Sequence, residues 1–159
     1  MRIKYFFAGL ILFVFAGVLF AKAAPDFKLL NTKGDTVKLS DFKGKIVFID
    51  FWATWCSPCE ESIPAVKNLH KRYASNSDIA ILGLNLGEKT DTVVRFMKDK
   101  GINYEVLLCD DKTARNYGID AIPAFFIIDK NGNIIKKYIG YANGSEADWT
   151  LKIKNELTK

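Results

Sequence analysis

The chain has 159 residues, 49% of them hydrophobic and 26% charged, enough for one domain with a packed core. Its formal charge of +5 is partly an N-terminal effect: Arg2, Lys4 and Lys22 fall in that segment. The remaining basic residues nearly balance the 18 acidic ones, which excludes a reading as a nucleic-acid binder by charge.

The chain opens with a short basic region, Met1-Arg2-Ile3-Lys4. Tyr5 to Phe20 is apolar throughout, and Ala21-Lys22-Ala23 offers an A-x-A cleavage site before Ala24. This is the three-part pattern of a secretory signal peptide. The apolar stretch also lies near the lower limit of about 17 residues for a membrane span, so an uncleaved anchor stays open. Residues 1–23 are therefore assigned as signal peptide or anchor, and 24–159 as the folded domain. Either way the domain is expected outside the cytoplasm, where disulfides persist.

Asp26 to Leu30 and Thr36 to Leu39 read as a hairpin turning at Asn31-Thr-Lys-Gly34. Ser40 to Gly44 is a turn or short helical piece. Ile46-Val-Phe-Ile-Asp-Phe-Trp52 is a nearly continuous apolar run, the mark of a strand buried on both faces. It leads to Trp55-Cys56-Ser57-Pro58-Cys59. A helix follows, from about Ser57 to Ser75, with Ile63, Val66, Leu69 and Tyr73 at helical spacing. Pro58 suits a first helical turn, whereas Pro64 lies inside the helix and should kink it.

Further strands are expected at Ile79–Leu86, Tyr104–Leu108, Ala124–Ile128 and Ile134–Ile139, the last as the sheet edge. Thr90–Lys100 should be a helix with Val93, Val94 and Met97 inward and Gly101 as its stop. Thr113–Tyr117 is a short helix. Asp129 to Asn133 is a hairpin loop with an Asn-Gly pair. Ser145 should cap a final helix carrying Trp149, Ile153 and Leu157 on one stripe. Strands alternating with helices, then a closing hairpin and helix, give an α/β sandwich with a mixed sheet.

The C-x-x-C spacing carries the chemistry. A cysteine at a helix start faces unpaired backbone N–H groups and the positive end of the dipole, which stabilise a thiolate. Two intervening residues let a second sulfur bond the first. Cys56 is thus the candidate nucleophile and Cys59, one turn further in, the resolving thiol. A zinc site would need two more ligands, and only Cys109 and His70 are on offer, without paired spacing. A thiolate pair that carries copper or zinc is permitted by sulfur's softness but lacks a third ligand. No P-x-x-x-T-x-x-C peroxidase pattern surrounds Cys56. Cys109 reads as a free, partly buried thiol and His70 as a solvated surface residue. Asp50 interrupts the apolar strand six residues before Cys56. Buried there, its pKa should rise; the alternative is that it turns to solvent at a strand end.

The segment Phe51-Trp-Ala-Thr-Trp-Cys-Ser-Pro-Cys59 is similar to the active site of the thioredoxin superfamily. The opening Leu39-Ser-Asp-Phe-Lys-Gly-Lys45 and the extra helix at Thr90–Lys100 resemble its extracytoplasmic TlpA/ResA-type branch. The likeness covers about Pro25 to Leu157. It implies a thioredoxin fold: a central mixed sheet flanked by helices, with an N-terminal hairpin and an inserted helix in the central crossover. It implies a thiol-disulfide oxidoreductase whose Cys56–Cys59 pair cycles between dithiol and disulfide with no other cofactor and no metal. It places a proton-relaying carboxylate at Asp50 and a cis bond before Pro123. Ile122 would then pair its backbone with an extended substrate, and Trp52 and Trp55 would wall the sulfurs from water.

Protein thiols and disulfides would be the substrates, apocytochrome c among them, with reduction as the direction and a membrane reductase as electron donor. A dithiol oxidase or isomerase is the alternative. Two positions depart from the resemblance. Ser62 stands where that branch has Glu, and Gly83 stands before Leu84-Asn85 where thioredoxin has Lys.

Overall fold

The structure, a computed structural model, describes residues 22–159. The apolar stretch read as a signal or anchor, Tyr5 to Phe20, lies outside the described residues. Eight strands form one sheet: β1 (Lys22–Ala23), β2 (Lys28–Asn31), β3 (Thr36–Lys38), β4 (Ile46–Trp52), β5 (Ile79–Leu86), β6 (Glu105–Cys109), β7 (Ala124–Ile128) and β8 (Asn133–Ile139). The helices are α1 (Ser57–Tyr73), α2 (Thr90–Lys100), α3 (Asp111–Asn116) and α4 (Ser145–Leu157), with a 3₁₀ turn at Leu39–Phe42.

The strand order is β1-β8-β7-β4-β5-β6-β2-β3. β4, β5 and β6 run parallel, joined by crossovers through α1 and α2, while β7 and β8 return antiparallel beyond β4. The hairpin β2–β3 joins the far side of the sheet by pairing β2 with β6. This is the mixed sheet with a hairpin and an inserted helix that the sequence leads one to expect.

Every residue of β4 is buried, because it is central and covered on both faces. Ile46, Phe48 and Trp52 point into one layer with Cys59, Ala65, Val66 and Leu69 of α1, Val93 of α2, and Trp149 and Ile153 of α4. Val47, Ile49 and Phe51 point into the opposite layer, under Phe27, Leu39 and Tyr117. Asp50 therefore shares the α1 face with Phe48 and Trp52, by the two-residue period of a strand. Trp149 is the pivot of that layer, with ring centres 4.5 Å from Phe125 and 5.1 Å from Phe48.

Three expectations change. Val94 is 43% exposed, so α2 presents Val93, Phe96 and Met97 inward instead. Ser145 does not cap α4. Gly144 holds the cap position at φ 93°, and the Ser145 hydroxyl accepts from the Ala142 N–H just upstream. β8 is the edge only along part of its length, since β1 pairs with it at Asn133 and Ile134.

Candidate active site

The sequence Ala53-Thr-Trp-Cys56 carries the chain from the carboxyl end of β4 into α1. Cys56 is the N-cap of α1, in extended backbone, and its Sγ accepts from the Cys59 N–H at 3.2 Å. That bond satisfies one of the orphan donors of the first turn and puts sulfur at the positive end of the helix. Pro58 occupies the first turn, where its lack of an N–H costs nothing. Cys56 and Cys59 are joined in a disulfide. Cys56 keeps 6% of its surface and Cys59 none. Cys56 is thus less open than the end of a strand suggests, yet it is the residue of the pair that keeps some surface.

The Ser62 side chain is buried and donates to the Cys59 carbonyl at 2.7 Å, tying down the turn that holds the second sulfur. Glu60 and Glu61 face outward, and Glu60 pairs with Lys100 of α2. Neither carboxylate stands in for the glutamate absent at position 62.

Asp50 is buried, 1% exposed, which removes the solvent-facing alternative. Its Oδ2 accepts from the Tyr104 hydroxyl at 3.4 Å, and its Oδ1 has no protein partner. Burial disfavours the charged form and pushes the carboxyl up to about 7, against the smaller opposing pull of the Tyr104 hydroxyl. A group poised there can give or take a proton near neutral pH.

The Ile122–Pro123 bond is cis. Pro123 is buried and Ile122 half-buried. Trp52 is buried against Phe96, with ring centres 5.4 Å apart. Trp55 is 71% exposed, so it stands out from the loop and does not wall in the sulfurs. The turn before α1 carries it on the outer side, where no element lies over it.

Sequence reasoning missed Glu88. This residue of the β5–α2 loop accepts the Thr54 N–H and the Asn85 side-chain amide, each at 2.7 Å, on Oε2. Its Oε1 accepts the Thr54 hydroxyl. The cysteine-bearing loop is therefore clamped to the neighbouring crossover by one carboxylate. The Asn85 side chain has no surface at all, a buried polar group that hints at a partner nearby.

Of two other expectations, the free thiol at Cys109 holds and the solvated His70 is revised. Cys109 is buried, 4% exposed, and free. Burial and the Asp110 carboxylate push its thiol up to about 12. His70 is half-buried with Nδ1 fully covered, because α1 turns it toward Tyr104.

Residues 20–137 match the AhpC/TSA family. Thiol-disulfide oxidoreductase ResA of Bacillus subtilis is 38% identical over 118 residues, covering 74% of this chain and 65% of that protein. ResA of Bacillus thuringiensis is 33% identical over 132 residues, covering 82% of this chain and 76% of that protein.

The chain belongs to the AhpC/TSA family, among its ResA-type thiol-disulfide oxidoreductases.

The fold agrees. A crystal structure of a thioredoxin-family thiol:disulfide interchange protein from Chlorobium tepidum superposes with a TM-score of 0.75 at 30% identity, covering 86% of this chain and 97% of that one. Cys56 and Cys59 lie at the start of the helix that follows the central strand.

Proposed function

We propose that this protein is an exported protein-disulfide reductase in which Cys56 attacks and Cys59 resolves. The observation that carries the reading is the asymmetry of the pair. Cys56 caps the helix and keeps some surface, while Cys59 is sealed in the layer that also holds the Asp50 carboxyl. In the dithiol form, the Cys56 thiolate attacks one sulfur of a substrate disulfide, and the substrate's other sulfur leaves as a thiolate. Asp50 then takes the proton from the Cys59 thiol. The Cys59 thiolate attacks Cys56 Sγ, the mixed disulfide breaks, and the substrate's second sulfur departs with its electron pair. The substrate gains two electrons and the enzyme is left as the Cys56–Cys59 disulfide. The dithiol itself supplies the electrons, so the cycle needs no other cofactor.

The apolar N-terminal stretch supports export. By resemblance the substrates are exported proteins, including apocytochrome c thiols before haem attachment, and a membrane reductase returns the electrons. Trp55 and the backbone at Ile122 and Pro123 would contact the substrate chain.

Trapping tests the roles. Cys59→Ser should accumulate substrate adducts that dithiothreitol releases, and Cys56→Ser should trap none. Equal trapping by both variants, or adducts through Cys109, would sink the assignment. The equilibrium potential of the pair tests direction. A value near thioredoxin's, about −270 mV, supports reduction, whereas one near about −120 mV makes the protein an oxidase.

A further inference from the structure

Asp50 pairs across the sheet with Gly83 on β5 and with Phe125 on β7. On the α1 face its lateral neighbours are thus a phenyl ring and a residue with no side chain. The place beside Gly83 is filled all the same. A Cβ added there would lie 2.9 Å from Tyr104 Cε2 and 2.9 Å from Trp52 Nε1, both closer than real Cβ contacts allow. Tyr104 precedes β6, and Val106, two residues on, is the partner of Gly83 in the parallel ladder. The tyrosine ring therefore crosses over the Gly83 backbone and delivers its hydroxyl to Asp50 Oδ2. The ring is 4% exposed, so this donor is sealed in with the carboxyl.

We propose that Tyr104 is a positioning residue of the redox site: admitted by the missing side chain at Gly83, it holds Asp50 by Oδ2 and leaves Oδ1 to exchange the proton. This rests on the proton-relay role of Asp50 given above. A hydroxyl donor favours the carboxylate, while burial favours the acid. At 3.4 Å the bond is long, so burial prevails and the group stays near neutrality. A lysine at position 83 would have placed a full positive charge there and held the carboxyl lower. Glycine exchanges that cation for a neutral donor reaching in from the inserted segment.

Among the described residues, the layer that holds Asp50 has few other ionisable groups near Tyr104. From α1 come Cys56 and Cys59, tied in the disulfide, and His70, whose ring centre is 6.5 Å from that of Tyr104. β5 and β7 offer Gly83 and Phe125, α2 offers Val93, Phe96 and Met97, and α4 offers Trp149.

The test is a ¹³C NMR titration of the Asp50 carboxyl in the oxidised protein, where the paired cysteines do not titrate, with Asp50→Asn to assign the resonance. Tyr104→Phe keeps the ring over Gly83 and removes only the hydroxyl. The midpoint should rise by about half a unit to one unit, as loss of a long hydrogen bond to a carboxylate implies. Gly83→Ala, whose methyl presses on the Tyr104 ring and on Trp52, should move the midpoint in the same direction and carries the measurement if Tyr104→Phe does not fold. An unchanged midpoint in a folded variant overturns the proposal. The relay itself is judged separately, by whether Asp50→Asn flattens the pH–rate profile of mixed-disulfide resolution. A profile that Asp50→Asn leaves intact refutes the relay, while the NMR midpoint still decides what Tyr104 does.

Discussion

A carboxyl group sealed under α1 makes stability depend on pH. Folding raises Asp50 from 3.8 to about 7, so the native state holds a proton that the unfolded chain releases. The stabilising contribution is complete below about pH 3.8 and drains away as pH climbs through 7, a difference of about 4 kcal/mol. Denaturant unfolding of the oxidised protein at pH 4 and pH 8 should show that loss, and Asp50→Asn should remove most of it. A loss of equal size in the variant would assign it to another group. Cys109 makes the contrasting case. Its thiol, pushed up to about 12, stays protonated and buried at neutral pH. Ellman's reagent should label it only after unfolding, and Cys109→Ser should leave thiol exchange unchanged. Labelling of the native protein would contradict this.

Between elements, the decisive contacts join residues that are far apart in the chain. Glu88 reaches Thr54 across 34 positions, and Tyr104 reaches Asp50 across 54. Glu88→Ala would strand the fully buried Asn85 amide and release the loop before Cys56. It should cost about 1–3 kcal/mol, seen as a lower thermal midpoint, together with slower thiol exchange. Unaltered exchange at a lowered midpoint would mean that the clamp serves stability alone. These links explain what the sequence could not reveal. The cysteines, the helix they open and the buried strand each carry a local signature of spacing, turn residue or apolar run. Glu88 carries none, being a charged residue in a loop, and Tyr104 looks like any aromatic before a strand. Val94 and Ser145 misled for the opposite reason: their local signals were sound, but packing chose Phe96 as the inward residue and Gly144 as the cap.

At the scale of the molecule, the sheet is read correctly from sequence because its central strands are largely apolar runs, while its far side depends on a pairing no pattern announces, β2 with β6. One side chain fastens the α4 end. Trp149 contacts Phe48, Phe125, Tyr138 and Tyr141, and Trp149→Ala should cost about 3–5 kcal/mol in denaturant unfolding. A cost under about 1 kcal/mol would show that α4 is not anchored there. The short outer strands have a different consequence. An open sheet edge can recruit other chains, because unpaired strand edges template further pairing. Here β3 offers three residues and ends in Lys38, and β1 offers two and begins with Lys22. The stretch of β8 that β1 leaves open carries Lys136 and Lys137, so lysine stands at every open edge and discourages another chain from growing onto the sheet.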